Sequence, residues 1–175
     1  MTEQEAGRGA DLRPLLLTGP PAAGKSTTAR ALAARLPLAA VLDVDDIRQL
    51  VVSGHAAPWD GPAGAEQQRI GVENTCDLAR RFSGAGIPVV IADVVSPATA
   101  ALYRSCLTAV MIIHLRISLE EARRRASQRP VHLTDAEFGM LHRDHPDDPA
   151  LYDHVIEVDG LDLEAQLEAV RRLWS

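Results

Sequence analysis

A single lysine stands among seventeen arginines, and it lies in the segment Gly19-Pro20-Pro21-Ala22-Ala23-Gly24-Lys25-Ser26. The spacing is G-x-x-x-x-G-K-[ST], the phosphate-binding P-loop. Such a loop takes polyphosphate because its backbone N–H groups and the N-terminus of the following helix converge on one anion site. Gly19, Ala22, Ala23, Gly24 and Thr27 are the expected cradle. Lys25 is expected to bridge the β- and γ-phosphates of a nucleoside triphosphate, and the Ser26 hydroxyl to ligate Mg²⁺. ATP with Mg²⁺ is the cofactor this segment points to.

Acidic residues follow the apolar runs. Asp43 and Asp45 come after Ala39–Leu42, Asp93 after Val89-Val90-Ile91-Ala92, and Asp159 after Val155–Val158. An apolar strand ending in an acid is the Walker B pattern, so Asp93 is a candidate for holding Mg²⁺ through water. Asp159 precedes Gly160 and reads as a turn former. Asp45, if it precedes a helix, reads as an N-cap. A basic cluster, Arg123, Arg124, Arg125 and Arg129, falls on and just after one helical segment. Arg125 and Arg129 are spaced i, i+4 and share a face. His55, Trp59, Gln67, Gln68, Arg69, Glu73 and Asn74 add a polar set with one aromatic residue.

These groups need a frame. Leu15–Thr18, Ala39–Leu42, Pro88–Ala92, Val110–Leu115 and Val155–Val158 are short apolar runs that predict strands. Between them, 26–36, 46–52, 65–82, 97–106, 118–128, 134–143 and a final segment through Trp174 predict helices. Ile70, Leu78 and Phe82 are the expected anchors of the long one. Leu163, Leu167, Val170 and Trp174 share a face of the last. Segment 53–63 reads as a loop. Apolar strands alternating with helices predict a parallel sheet covered on both faces. In such sheets ligands collect at the carboxyl ends of the strands, where the acids lie.

The 175 residues suit one domain over 14–175 behind a disordered leader at 1–13. Hydrophobic content is 46% and aromatic content only 3%, so aliphatic packing must fill the core. A net charge of −6 speaks against a broad nucleic-acid surface but not against a short 5′ end entering a pocket. Cys76 and Cys106 lack metal-ligand spacing; a disulfide and two buried free thiols both fit, the thiols better in a cytoplasmic nucleotide enzyme. Residues 1–13 have no apolar stretch of a signal peptide, and no run reaches membrane-span length. A cytoplasmic location with no membrane partner is the expectation.

Leu42-Asp43-Val44-Asp45-Asp46-Ile47-Arg48 resembles the Leu-Asp-Gly-Asp-Asn-Val-Arg stretch of adenylylsulfate kinases. It is also similar to the Asp-Asp-Tyr-Arg stretch of phage-type polynucleotide 5′-hydroxyl kinases. Chloramphenicol phosphotransferases and gluconate kinases carry a comparable acid. The resemblance runs from about Leu15 to Leu173. It implies a P-loop NTPase three-layer sandwich, with a five-stranded parallel sheet in the order 2-3-1-4-5 and a small lid at about 125–135. It implies Asp45 as general base, Arg48 as the group that orients the acceptor, and Asp93 as the acid that holds Arg48. Arg129, supported by Arg125, matches the lid arginine that meets the transferring phosphoryl group. Trp59, Arg69 and Asn74, with Arg48 and Asp93, fall where related kinases build the acceptor pocket. Pro130 departs from the Gly or polar residue usual in that lid.

The activity implied is transfer of the ATP γ-phosphate to a hydroxyl of a small molecule such as a natural product, antibiotic, sugar or nucleoside. A polynucleotide 5′-hydroxyl kinase is the second reading. A nucleotide-binding switch or ATPase that passes phosphate to water is the third.

Overall fold

The computed structural model describes residues 13–127, 134–143, 145 and 148–174. Strands β1 (Leu15–Thr18), β2 (Ala40–Asp43), β3 (Val89–Ala92), β4 (Met111–Arg116) and β5 (His154–Glu157) form one sheet in the order β2-β3-β1-β4-β5. Every pairing is parallel. The helices are α1 (Lys25–Ala33), α2 (Val44–Arg48), α3 (Gly61–Gly84), α4 (Pro97–Cys106), α5 (Leu119–Ala126), α6 (Asp135–Arg143) and α7 (Leu163–Trp174). The expected architecture and strand order are therefore those observed. No helix among the described residues is long and apolar enough to cross a membrane.

Alternation along the strands sorts the core into two layers. Leu15, Leu17, Ile113 and Leu115 face one cluster, which α1 and α7 cover with Ala29, Leu32, Leu167, Val170 and Trp174. Leu16, Ile91 and Ile112 face the other, covered by α3 and α4 through Val72, Cys76, Ala79, Ala100 and Tyr103. β1 and β3, fully buried on both faces, are apolar without polar alternation, as a central parallel strand must be. The low aromatic content is met by small and aliphatic contacts. Cys76 is buried and Cys106 half-buried, both as free thiols. Burial, reinforced by Cys106, pushes the Cys76 thiol up to about 12.

Several expected boundaries are corrected. α1 stops at Ala33 rather than running to Leu36, because Arg35 and Leu36 turn their N–H groups to Leu32 and Ala33 in tighter turns. α2 begins at Val44, two residues earlier than expected, and ends at Arg48 rather than Val52. Val44 is fully buried, so β2 passes into the helix without a loop. Asp43, not Asp45, thus occupies the N-cap position. α3 starts at Gly61, inside the expected loop, with Pro62 in its first turn. Its buried face is Gly71, Val72, Thr75, Cys76 and Ala79, whereas Ile70 and Leu78 are exposed. Small residues won there because α2 packs close: a Cβ on Gly71 would sit 2.9 Å from Cγ of Arg48. On α7, Leu163 is exposed and Gln166 takes a buried place.

Candidate active site

The sheet register puts the acidic residues and the P-loop on one rim. Leu17 of β1 pairs with Ala92 of β3, and Ala92 pairs with Asp43 of β2. Asp93 therefore follows the strand beside the P-loop strand, and Asp45 lies one strand further. At roughly 4.8 Å per strand, β2 is about 10 Å from β1. The Asp93 N–H bonds the Leu17 carbonyl at 3.1 Å, which ties this rim to the start of the P-loop.

The loop itself depends on backbone that most residues avoid. Gly19 has φ +146°, and a Cβ there would collide with the Leu115 carbonyl of β4. Gly24 has φ +95° and heads α1. Ala22 holds φ 64° despite its methyl group, at a cost of about 1–2 kcal/mol. Lys25 Nζ donates to the carbonyls of Gly19 at 2.9 Å and Pro20 at 3.1 Å, folding its chain back under the loop. Ser26 is half-buried and Thr27 exposed at the first turn of α1. A glycine cradle, a helix N-terminus and one ammonium together fit a triphosphate.

Two buttresses of the loop have no sequence signature. Gln166 of α7, 3% exposed, donates through Nε2 to the Ala23 carbonyl at 3.1 Å and to Thr28 Oγ1 at 2.8 Å. A buried glutamine read as part of an amphipathic helix gives no warning of this. His142 of α6 puts Nε2 3.1 Å from the Pro21 carbonyl. Burial, helped by Lys25 and Arg123, lowers its pKa against the opposing hydrogen bond to Pro21.

On the acceptor side, Arg48 joins the two acids. Its guanidinium donates to Asp45 Oδ1 at 2.5 Å and to Asp93 Oδ1 at 3.2 Å. The Arg48 side chain is 11% exposed, Asp93 0% and Asp45 69%. Asp93 is held further by the Val94 N–H at 2.8 Å and the Tyr103 hydroxyl at 2.8 Å. Burial raises the pKa of Asp93 in spite of Arg48 and these donors. For Arg48, burial opposes the charge, but Asp93 and Asp45 hold its pKa above the usual value. Asp93 is thus turned toward Arg48 and Tyr103. Asp45 presents an open carboxylate on the first turn of α2. Asp43 instead pairs with Arg30 at 3.3 Å.

The other candidates spread out. Arg69 pairs with Glu66 and Glu73 on the exposed face of α3, and Asn74 is exposed on the same helix. Neither contacts the Asp45–Arg48–Asp93 group among the described residues. Trp59 is 44% exposed in the segment before α3. Gln67 organises that segment by accepting from the Ala56 N–H at 2.9 Å and donating to the Gly54 carbonyl at 2.7 Å. Arg125 donates to Glu121, to the Val158 carbonyl at 2.6 Å and to the Leu161 carbonyl at 3.1 Å. It thereby braces α5 against the loop between β5 and α7. Arg124 pairs with Glu121, and Arg123 is exposed. Asp159 lies in the turn at Gly160 and accepts from the Ser118 N–H at 2.9 Å, which ties that turn to the start of α5. Arg129, Pro130 and most of the expected lid lie outside the described residues, as does nearly all of the expected leader.

A cleft of about 410 Å³ opens beside the loop, lined by Ala22, Gly24, Thr27, Arg125, Leu161 and Leu163. Leu161 and Leu163 give it an apolar edge beside the P-loop.

A parallel sheet in this order with a P-loop after its central strand defines the P-loop kinase fold. The family model described as "AAA domain" matches residues 15–138, and the chain belongs to that family. No curated relative matches the sequence. Among solved structures, a sugar kinase from Janibacter sp. HTCC2649 is similar over 93% of this chain and 94% of its own, at 16% identity and a TM-score of 0.73. Shikimate kinase from Acinetobacter baumannii is similar over 96% of each chain, at 21% identity and a TM-score of 0.68. APS kinase from Mycobacterium tuberculosis, solved with AMPPNP and APS, is similar over 92% of this chain and 96% of its own, at 16% identity and a TM-score of 0.68.

Proposed function

We propose that this protein is an ATP-dependent kinase that phosphorylates a hydroxyl group of a small molecule. The observation that carries the reading is the Asp45–Arg48–Asp93 group, held on the same rim as the P-loop. A P-loop alone serves hydrolases and switches as well. An open carboxylate fixed by a buried arginine is what an alcohol nucleophile needs. Similarity of fold to a sugar kinase, shikimate kinase and APS kinase supports the same class.

ATP with Mg²⁺ supplies the transferable phosphoryl group and neutralises its charge. The residues divide the remaining work. Lys25 and the loop amides hold the phosphates, and Ser26 is the Mg²⁺ ligand. Arg48, fixed by Asp93, orients the acceptor hydroxyl. Asp45 accepts its proton as the acceptor oxygen bonds to the γ-phosphorus and the bridging P–O bond breaks to release ADP. The Asp93 donors favour a positioning role over a metal role. Arg129 is the proposed lid arginine, in a lid at about 125–135, with Arg125 aligning its helix. The working unit is one domain over 14–175.

A second reading, phosphorylation of a 5′-hydroxyl polynucleotide end, is favoured by the Arg48–Asp93 pair that the family resemblance implies. The net charge of −6 weighs against it. The test is transfer of label from [γ-³²P]ATP to a panel of alcohol-bearing metabolites and 5′-hydroxyl oligonucleotides. Label in a small alcohol is expected. Label only in oligonucleotides selects the second reading, and release of phosphate to water alone removes both.

A further inference from the structure

The charge balance of the acceptor side restricts what can bind there. Arg48 lies between Asp45 and Asp93, so that trio carries a net negative charge. Arg69, on the first half of α3, lies between Glu66 and Glu73 and makes a second such trio. Hydrogen bonds donated to Glu66 and Glu73 raise the Arg69 pKa. Arg80 and Arg81 are eleven and twelve residues further along α3, roughly 16–18 Å away at 1.5 Å per residue. Among the described residues of α2, the segment before α3 and the first half of α3, no arginine is left to a ligand. An anionic acceptor would have to take Arg48 from two carboxylates, one of them fully buried.

The same stretch exposes apolar surface. Leu50 is 76% exposed, Val52 92% and Trp59 44%, and all three belong to the segment that follows Arg48. Five of the eight large hydrophobic residues exposed among the described residues fall between 50 and 70. Single exposed apolar residues need no explanation, but a concentration in the segment directly after Arg48 does. Gln67 fixes the middle of this segment through Ala56 and Gly54.

We propose that the acceptor is an apolar alcohol that carries no negative charge, its hydroxyl at Asp45 and its body against Leu50, Val52 and Trp59. The inference rests on the kinase reading above and narrows it. A carboxylate or sulfate on the acceptor meets two negatively charged trios, and among the described residues of this stretch it finds no guanidinium without a carboxylate partner. An amide, ester or ammonium meets no such repulsion. Like-charge placement of this kind discriminates strongly between otherwise equal ligands.

The test uses the full chain, [γ-³²P]ATP and matched acceptors. One series is hydroxymethylbenzoate, its primary amide and hydroxymethylbenzylamine, and a second is an aliphatic set built the same way. The amide or the amine should exceed the carboxylate in kcat/KM by about tenfold or more in each series. Glu66→Gln with Glu73→Gln, which frees Arg69 on an exposed face, should shrink that ratio at least about threefold, since it removes one negative trio. Trp59→Ala should raise the acceptor KM several-fold and leave the ATP KM unchanged. Preference for the carboxylate in either series overturns the inference and leaves the kinase reading standing; cations from the lid side, such as Arg143, would then reach the acceptor. Phosphate passing only to water, across both series and the metabolite panel, overturns the kinase reading and this inference with it.

Discussion

The Tyr103 hydroxyl donates to Oδ2 of Asp93 at 2.8 Å, from a ring with no exposed surface. Asp93 in turn grips Arg48, and Arg48 grips Asp45. A tyrosine on α4 thus steadies the group that faces the acceptor. Tyr103→Phe leaves a buried carboxylate oxygen without its donor. The expected loss is about 1–3 kcal/mol of stability, read by chemical denaturation. In kinetics, kcat should fall severalfold with the ATP KM unchanged. A variant that loses stability but keeps kcat would make Tyr103 a packing residue only.

Asp45 and Asp43 are two residues apart but differently engaged, one open beside Arg48 and the other paired with Arg30. Asp45→Asn should lower kcat about 10²-fold, the scale of lost general-base help, with ATP binding kept within a few-fold. Asp43→Asn should change kcat little. Steady-state kinetics with the true acceptor checks both, and the opposite ranking would move the base to Asp43.

Gln166 locks the P-loop from α7. Gln166→Leu removes donors from the Ala23 carbonyl and Thr28 Oγ1, and it should weaken ATP binding more than it slows turnover. Gln166→Glu keeps the shape and can still accept from the Thr28 hydroxyl, but it cannot donate to the Ala23 carbonyl, so it should not restore ATP affinity. Titration with a fluorescent ATP analogue reads the effect. Full affinity in Gln166→Glu would mean that the bond to the Ala23 carbonyl does not hold the loop.

Hydrogen bonds from Arg124 and Arg125 hold the Glu121 carboxyl at about 2, below its ordinary 4.5. A depressed carboxyl binds its proton less tightly in the folded state than in the unfolded one. Its contribution to stability is therefore complete above about pH 4.5 and is lost as pH falls toward about 2. Melting temperatures of wild type and Glu121→Gln should differ at pH 7 and converge over that acid interval. A constant difference across it would show that the carboxylate's charge is not what matters.

The P-loop, the five strands and their alternation with helices were legible in the sequence because each is local. A glycine-lysine spacing, an apolar run and a proline carry their meaning within a few residues. Lys25 and Asp45 could be named from such runs, and so could the strand that ends at Asp93. The partners could not. Gly71 looks like a weak point in a helix until α2 is seen packed on it. Ile70 and Leu78 look like anchors until the small-residue face of α3 takes the contact. Gln166 and Tyr103 lie 140 residues from the P-loop and ten residues from Asp93, respectively, in segments with no motif. What the tertiary structure decided is where charge is satisfied. Burial makes an unpaired polar group costly, so Asp93 must find Arg48 and Tyr103 from other elements of the chain. Sequence spacing states which groups are available. Only the packing of α2, α3 and α4 on the sheet states which of them are already spent on one another.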